Sequence, residues 1–162
     1  MQLAESIDIE APPDRVFRFF QRMADNYLRW HPDHRAFRWL DEKGLATGSR
    51  FHLKEQIGGK ELERTMVITR LEPGRLLEFA PDHRFIRLLM PRLLFRMVPS
   101  GEQGCRLEAE IQVRTGPVGA WLNRKEFEAV RRHMREECAN LKRIVEAEPE
   151  DRLADDARAN GG

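Results

Sequence analysis

Residues 128–146 read EAVRRHMREECANLKRIVE, a stretch whose apolar residues recur at the spacing of an α-helix. An α-helix advances about 100° per residue, so these side chains fall within about 60° of one line along the helix surface. The apolar stripe comprises Phe127, Val130, Met134, Leu141 and Val145. Glu137 lies at the edge of the stripe and His133 about 40° beyond it, so a carboxylate and an imidazole face the same side. The sequence predicts one long helix from about Val118 to Ala147.

Upstream of this helix, the chain alternates apolar and polar residues as half-buried β-strands do. Three turn sequences separate the alternating runs: Gly58-Gly59, Glu72-Pro73-Gly74 and Ser100-Gly101. The run after the last turn places one set of apolar residues on a single face, namely Leu107, Ala109, Ile111 and Val113. These segments are expected to form antiparallel hairpins.

The N-terminal region adds one strand and two short helices. Ile7 and Ile9 alternate with acidic residues, and two prolines then end the strand ahead of a first short helix. From Met23 to about Leu40 we expect a second short helix followed by a loop. A long helix laid across a strongly curved sheet encloses a cavity. The predicted class is therefore α+β, with a curved antiparallel sheet wrapped around the long C-terminal helix.

Length and composition indicate one globular domain over residues 1–147. Residues 148–162 are charged and lack periodicity, so they are expected to be disordered. A net charge of +1 supplies no overall field for nucleic acid or an anionic membrane. No apolar run approaches the roughly 20 residues of a membrane span. The two cysteines match no metal or redox motif, which favours reduced thiols in a cytoplasmic protein.

Several residues that bind metals are expected to face the interior. An unpaired buried carboxylate costs several kcal/mol, so Glu137 needs a cation, a hydrogen-bond network or a metal ion as its partner. The His-x-x-x-Glu spacing lets His133 and Glu137 hold one ion. Glu55 shares strand parity with the apolar residues around it and therefore points inward. The segment after the second short helix adds His31 and His34, and either of them is available as a further ligand.

Three segments resemble the START-like, polyketide-cyclase-type superfamily (SRPBCC). They are IDIEAPPDRVFRFF (7–20), LEPGRLLEF (71–79) and VPSGEQGCRLEAEIQV (98–113). This resemblance implies the helix-grip fold, with two short helices after the first strand. The superfamily includes lipid carriers, cyclases, hydrolases and co-chaperones, so the fold alone does not decide the function.

The metal-binding residues are similar to those of the diacetylphloroglucinol hydrolase and phloretin hydrolase family. The similarity lies in a Trp-x-Pro-x-His loop, a glutamate ahead of a glycine turn, and a C-terminal His-x-x-x-Glu helix. It implies a zinc enzyme that cleaves the carbon–carbon bond between an aromatic ring and an acyl group. The implied ligands are His34, Glu55, His133 and Glu137. Iron or manganese would also suit these nitrogen and oxygen donors.

The same resemblance implies different roles for the two loop histidines. His34 is the implied ligand because the family's ligand closes the loop motif, after the proline. His31, close to that ligand, is the candidate for proton transfer. The expected substrate-binding residues are Tyr27, Trp30 and Trp39, since the family holds a phenolic ring with tyrosines and Tyr27 is the only tyrosine of the chain.

Two other functions fit these residues. A non-catalytic carrier would hold a lipid or polyketide in the same cavity, with the segment FIRLLMPRLLF (85–95) as part of a gate. A metal-free cyclase or dehydratase would use His31 and Glu55 as acid and base. In each case the expected partner is a small hydrophobic molecule, and metal content separates the hydrolase from both alternatives. The oligomeric state is left open, a homodimer included.

Overall fold

The computed structural model describes residues 1–148, which form a seven-stranded sheet and five helices. The strands are β1 Gln2–Ile9, β2 His34–Trp39, β3 Arg50–Ile57, β4 Lys60–Glu72, β5 Leu76–Pro81, β6 Arg92–Ser100 and β7 Gly104–Gln112. The helices are α1 Pro13–Gln21, α2 Met23–Trp30, α3 Arg84–Leu89, α4 Pro117–Leu122 and α5 Arg124–Ala147. Of the predicted tail, only Glu148 lies within the described residues.

All neighbouring strands pair antiparallel, in the order β1-β7-β6-β5-β4-β3-β2. The first strand thus pairs with the last, while each other strand pairs with its sequence neighbour. At the β3–β4 turn, Gly58 and Gly59 have φ of 58° and 78°. Glycine adopts these left-handed angles without steric cost, which permits the two-residue turn that the sequence predicted. The turn packs against α5, because a Cβ on Gly58 would lie 3.0 Å from the Cβ of Ala129.

Helix α5 lies across the sheet and buries one face against it. Its buried residues are His133, Met134, Cys138, Leu141, Ile144 and Val145. Helices α1 and α2 cover the same side, and the aromatic rings of Phe20 and Trp30 join both of them to Phe95 on β6. The prediction of a helix-grip fold is confirmed. The cavity between α5 and the sheet holds the candidate functional site.

The segment after α2 differs from its prediction. Residues 34–39 form strand β2, where the sequence indicated a loop. The segment is too short for a clear local pattern, and its strand conformation is stabilised by pairing with β3, which sets Phe37 beside Leu53 and Trp39 beside Phe51. His34 therefore stands at the first position of a strand and is opposite Glu55.

The C-terminal helix also differs, because it is interrupted at Asn123. That residue has φ −101° and ψ 20°, and its side-chain amide donates a 2.8 Å hydrogen bond to the carbonyl of Gly119. An asparagine side chain that bonds the preceding turn competes with helix continuation. The predicted single helix over 118–147 is thus two, the short α4 and the long α5.

The apolar segment 85–95 contains helix α3, which the sequence did not predict. Pro91 follows the helix, where its fixed ring and missing N–H prevent further helical hydrogen bonding. Strand β6 begins directly after it. Across the described part of the chain, no helix has the length and apolar character needed to cross a membrane.

Candidate metal centre

The cavity between α5 and the sheet has a volume of about 300 Å³. Most of its wall is apolar or aromatic. The wall includes aromatic rings from α1, α2, β2 and β3, namely Phe20, Tyr27, Trp30, Phe37, Trp39 and Phe51. Polar groups in the wall include Glu55, Arg64, His133 and Glu137. Such a space suits a small hydrophobic molecule that carries a few polar atoms.

Three side chains from different elements converge at one side of this cavity. His34 begins β2, Glu55 lies on β3, and His133 lies on α5. One ligand atom from each lies within 4.8 Å of the others. Glu137 is part of the same cluster, because its Oε1 lies 3.0 Å from Nε2 of His34 and 3.7 Å from Nε2 of His133. The structure therefore brings together all four residues that the sequence proposed as ligands.

The hydrogen bonds of His34 determine which ring nitrogen carries the proton and which carries a lone pair. Its Nδ1 lies 2.8 Å from the carbonyl oxygen of Tyr27, which only accepts, so Nδ1–H is the donor. In a neutral ring, Nε2 then carries a lone pair directed at Glu137 Oε1, 3.0 Å away. Two lone pairs facing each other require a proton or a metal cation between them. A ring N–H held by a main-chain carbonyl is also the usual arrangement of a metal-binding histidine.

His133 supplies the second observation. Its side chain is buried, yet Nε2 has no hydrogen-bond partner. Burial lowers the pKa of His133, with further lowering from His31 and His34, despite the opposing charge of Glu137. The ring is therefore neutral at physiological pH. An unpaired buried nitrogen costs about 1–3 kcal/mol, and a metal ion at this position would remove that cost.

The two carboxylates of the cluster carry like charge in a partly buried site. Burial raises the pKa of Glu55, and the negative charge of Glu137 raises it further. The phenol of Tyr27 donates a 3.2 Å hydrogen bond to Glu55 Oε2, and burial raises the pKa of this phenol well above its ordinary value. A divalent cation would neutralise both carboxylates, so two imidazoles and two carboxylates fit such an ion in charge and in donor type.

His34 itself responds to two opposing effects. Burial acts to lower its pKa, but the hydrogen bonds to Glu137 and to the Tyr27 carbonyl outweigh it, so the pKa is raised. The raised pKa favours a proton on Nε2 of His34, between this nitrogen and Glu137. The proton and the metal ion compete for the same space.

His31 occupies a different position from the one proposed for it. It is buried but is not part of the cavity wall. Its Nδ1 accepts the main-chain N–H of Asp33 at 3.0 Å, so Nε2 carries the proton and donates to Glu136 at 2.9 Å. Both nitrogens are therefore engaged away from the cavity, which removes the direct route to a substrate that proton transfer needs. Its ring lies 4.1 Å from that of His133, a position that supports the ligand.

A second cluster shares His133 with the first. His31, Asp33 and His133 also offer ligand atoms within 4.8 Å of one another. The lone pair of His31 Nδ1 is already taken by the Asp33 N–H, and the Asp33 carboxylate is half-exposed. His34, Glu55, His133 and Glu137 form the better donor set for a metal ion, because Nε2 of both histidines lies within 3.7 Å of Glu137 Oε1.

The proposed substrate-binding residues all reach the cavity. Tyr27 and Trp30 are buried and Trp39 is half-buried, and each contributes its ring to the wall. The indole N–H of Trp30 donates to the main-chain oxygen of Glu137 at 2.9 Å. This bond joins α2 to α5 next to the cluster. Because the indole N–H is already engaged, Trp30 contributes only apolar ring surface to the cavity.

Sequence reasoning missed Arg64. It shares the β4 parity of Met66 and Ile68, both buried, and this parity was the signal that would have placed it inside. Among the described residues, it is the one Lys or Arg in the cavity wall. Burial raises the pKa of Glu55 and of Tyr27, and the positive charge of Arg64 opposes part of each rise. The cationic side chain thus lies near the cluster without being a ligand.

A family model described as "Polyketide cyclase / dehydrase and lipid transport" matches residues 1–146. The match includes every strand of the sheet and nearly all of α5. No curated protein shows significant sequence similarity to the chain.

Several solved structures share the fold at low sequence identity. An aromatase/cyclase, Zhui, from a Streptomyces species has 14% identity and a TM-score of 0.71, covering 90% of this chain and 93% of its own. Norcoclaurine synthase from Thalictrum flavum, in complex with dopamine and hydroxybenzaldehyde, has 11% identity and a TM-score of 0.71, covering 93% and 89%. A START superfamily protein from Mycobacterium smegmatis has 11% identity and a TM-score of 0.64, covering 88% and 98%. At these identities the likeness concerns the fold alone.

Proposed function

We propose that this chain, which belongs to the polyketide cyclase/dehydrase and lipid transport family, is a metal-dependent hydrolase. Its substrate would be a small acylated phenol or a polyketide-like aromatic ketone held in the internal cavity. The bond cleaved would be the carbon–carbon bond between the aromatic ring and the acyl carbonyl. Zinc is the metal that we propose, because mixed nitrogen and oxygen donors at a four-residue site are typical of it.

The observation that supports this proposal most strongly is that two imidazole nitrogens point at one carboxylate oxygen, since Nε2 of His34 and Nε2 of His133 lie 3.0 and 3.7 Å from Glu137 Oε1. Nε2 of His34 faces a carboxylate oxygen, and Nε2 of His133 is buried with no partner. A hydrogen bond to Glu137 satisfies His34 Nε2 when that nitrogen is protonated, but it leaves the buried Nε2 of His133 unpaired, which is uncommon in folded proteins. Glu55 and Glu137 complete the donor set from the opposite strand and from the next turn of α5.

The reaction consumes one water molecule. Hydroxide adds to the acyl carbon, the bond from this carbon to the ring carbon breaks, and the ring carbon takes up a proton. The products are a carboxylic acid and the deacylated phenol. A divalent cation bound by the four residues would polarise the ketone oxygen and lower the pKa of water, which supplies the nucleophile.

The residues of the chain would position the substrate for this step. The apolar wall excludes bulk water, and the rings of Trp30, Trp39 and Phe51 offer faces and edges to an aromatic substrate. Tyr27 holds Glu55 through its hydroxyl and stacks on His34 with a ring separation of 4.0 Å. These contacts keep two of the proposed ligands in place.

Elemental analysis of the untagged protein, combined with an activity assay, tests the proposal. We expect about one equivalent of zinc, and release of acetate from diacetylphloroglucinol or a similar acylated phenol that stops on chelation and returns on adding zinc. Protein that purifies with no metal and fails to take up zinc would contradict the metal site. Turnover that survives complete chelation would instead favour a metal-free cyclase or hydrolase.

Arg64 is expected to set the preference for the charge of the substrate. Polyphenols with acyl groups ionise readily, and a phenolate or carboxylate oxygen would pair with the guanidinium. Changing Arg64→Met should raise KM for such anionic substrates about 10–100-fold, the loss of one charge-assisted hydrogen bond, with a smaller effect on neutral analogues. Steady-state kinetics on an ionised substrate and its O-methylated analogue measure this difference. Equal effects on both would show that Arg64 contributes packing only.

His31 is expected to support the site without transferring protons. A general acid or base contributes about 10²–10⁴-fold to the rate, whereas an outer residue that packs on a ligand changes metal affinity by about 10–100-fold. We expect His31→Gln to weaken zinc binding while turnover at saturating zinc stays within about tenfold of the wild type. Zinc titration and kinetics on the same sample separate the two roles. A large loss of turnover at full zinc occupancy would restore His31 to the chemistry.

A carrier is the second candidate, because the wall of the cavity is mainly apolar and the family description includes lipid transport. A carrier would bind its ligand without changing it. It would also lack stoichiometric metal, so the elemental analysis that tests the hydrolase also tests this alternative.

A further inference from the structure

Two short helices expose an unusual amount of apolar surface. Of the nine large hydrophobic side chains that are exposed in the described chain, seven lie on α3 and α4; these are Phe85, Ile86, Leu88, Leu89, Val118, Trp121 and Leu122. They are between 42% and 77% exposed. Neither helix contains a buried residue. Large exposed apolar patches of this kind mark sites that contact a partner or a membrane.

The end of α3 lies next to the segment that leads into α4, at the edge of the cavity. The main-chain N–H of Arg114 donates to the carbonyl of Leu89 at 2.7 Å, which joins the end of α3 to the segment that leads into α4. Leu89, Met90 and Val113 all line the cavity. The exposed side chains at the end of α3 are therefore continuous with an apolar wall inside the protein, and α4 follows three residues after Arg114. We call the exposed surface of both helices the α3–α4 surface.

The charged residues within the two segments that form this surface are all basic. Residues 83–92 and 113–125 contain six Lys and Arg and no Asp or Glu, although 27 of the 162 residues of the chain are acidic. Arg87, Arg92 and Arg124 have acidic partners outside these segments, namely Asp82, Glu110 and Glu128. Arg84, Arg114 and Lys125 form no ion pair within the described residues. The surface thus combines exposed apolar side chains with cationic ones, of which Arg84 and Arg114 form no ion pair within the described residues.

We propose that the α3–α4 surface docks onto an anionic lipid bilayer. Phe, Leu and Trp side chains enter the boundary between headgroups and acyl chains, while nearby Arg and Lys attract anionic lipids. A second copy of this chain is a poorer occupant, because a two-fold contact would place the cationic rims of both copies against each other. An anionic membrane satisfies both the apolar and the charged parts of the surface.

Docking at this position would open the cavity toward the membrane. Leu89 and Met90 belong to α3 and its C-terminal end and also to the cavity wall. A lipophilic molecule dissolved in the bilayer would then reach the interior without crossing water. The docking proposal does not depend on the reaction, since a hydrolase and a carrier would both gain from such an entrance.

Vesicle flotation of the full chain tests this proposal. We expect binding to phosphatidylcholine vesicles that contain phosphatidylglycerol, and little binding to phosphatidylcholine alone. Removing one cation near a membrane weakens partitioning about fivefold, so Arg84→Glu/Arg114→Glu should reduce binding more than tenfold. The double change Phe85→Ser/Trp121→Ser, which leaves all charges in place, should reduce it by at least tenfold through loss of apolar insertion.

Matched controls distinguish binding through this surface from binding caused by net charge or by any exposed apolar side chain. Arg38→Glu/Arg143→Glu makes the same change in net charge at exposed positions outside the two segments, and Leu28→Ser removes an exposed apolar side chain from α2. Both should bind vesicles like the wild type. The proposal is overturned if the wild type does not bind anionic vesicles, or if the control variants lose as much binding as the variants of the α3–α4 surface. It is also overturned if sedimentation shows a dimer that the α3–α4 changes dissociate, because the surface would then be an interface between copies.

Discussion

Replacing Glu137 with glutamine is expected to weaken zinc binding more than about 100-fold and to abolish chelator-sensitive hydrolysis. Loss of a residue that only hydrogen-bonds a ligand lowers metal affinity about 10–100-fold, and loss of a ligand should lower it further. Glutamine keeps the size of the side chain but removes the negative charge that faces His34 and His133. Its amide would donate to Nε2 of His34, so the metal-free variant should be at least as stable as the metal-free wild type. Competition titration with a chromogenic zinc chelator measures the affinity.

Thermal unfolding with and without zinc gives a second readout of the same change. Zinc at about 100 times its dissociation constant stabilises the folded protein by about 2.7 kcal/mol, or about 5–10 °C in Tm for a domain of this size. The wild type should show this shift and Glu137→Gln should not. Glu128→Gln, on an exposed part of the same helix, serves as the matched control and should behave like the wild type. A Glu137→Gln protein with an undiminished zinc shift would exclude Glu137 as a ligand.

Leu141→Ala is expected to destabilise the protein by about 3–5 kcal/mol, the range for a leucine removed from a packed core. Leu141 is 0% exposed and lies one turn beyond Glu137 on α5. Since this helix is packed on the sheet through a single buried face, a cavity at Leu141 weakens its attachment along the whole site. Thermal or urea unfolding of the full chain should show a Tm lower by about 6–20 °C.

The matched control for this core change is Leu28→Ala on α2. Leu28 is 58% exposed, so the same truncation should change the free energy of unfolding by no more than about 0.5 kcal/mol. Similar losses at Leu28 and Leu141 would indicate that α5 is not the element that holds the domain together. Zinc affinity should fall with Leu141→Ala as well, because Glu137 and His133 are held by the same helix.

A divalent cation would offset the repulsion between the two carboxylates of the cluster. The pKa of Glu55 is raised by burial and by the negative charge of Glu137. The two cysteines offer no alternative chemistry at the site. Burial raises the pKa of Cys138 to about 12, so its thiol remains protonated and acts as a packed core group.

Local sequence patterns were sufficient for much of the fold. The helical period of residues 128–146 located α5, and the alternation of Glu55 with its apolar neighbours placed its carboxylate on the inner face. Two predictions failed at places where the local pattern is weak. Strand β2 forms because β3 pairs with it, and the break between α4 and α5 comes from the side-chain hydrogen bond of Asn123.

The sequence by itself determined the helix-grip architecture and the inward direction of Glu55, His133 and Glu137, because periodicity is a property of neighbouring residues. Only the tertiary structure decided which loop histidine directs a nitrogen toward the cluster of Glu55, His133 and Glu137. His34 Nε2 meets Glu137 across 103 residues of chain, whereas both nitrogens of His31 are occupied by Asp33 and Glu136. The protonation and direction of an imidazole depend on donors and acceptors that only folding brings together, and no spacing rule within one segment specifies them.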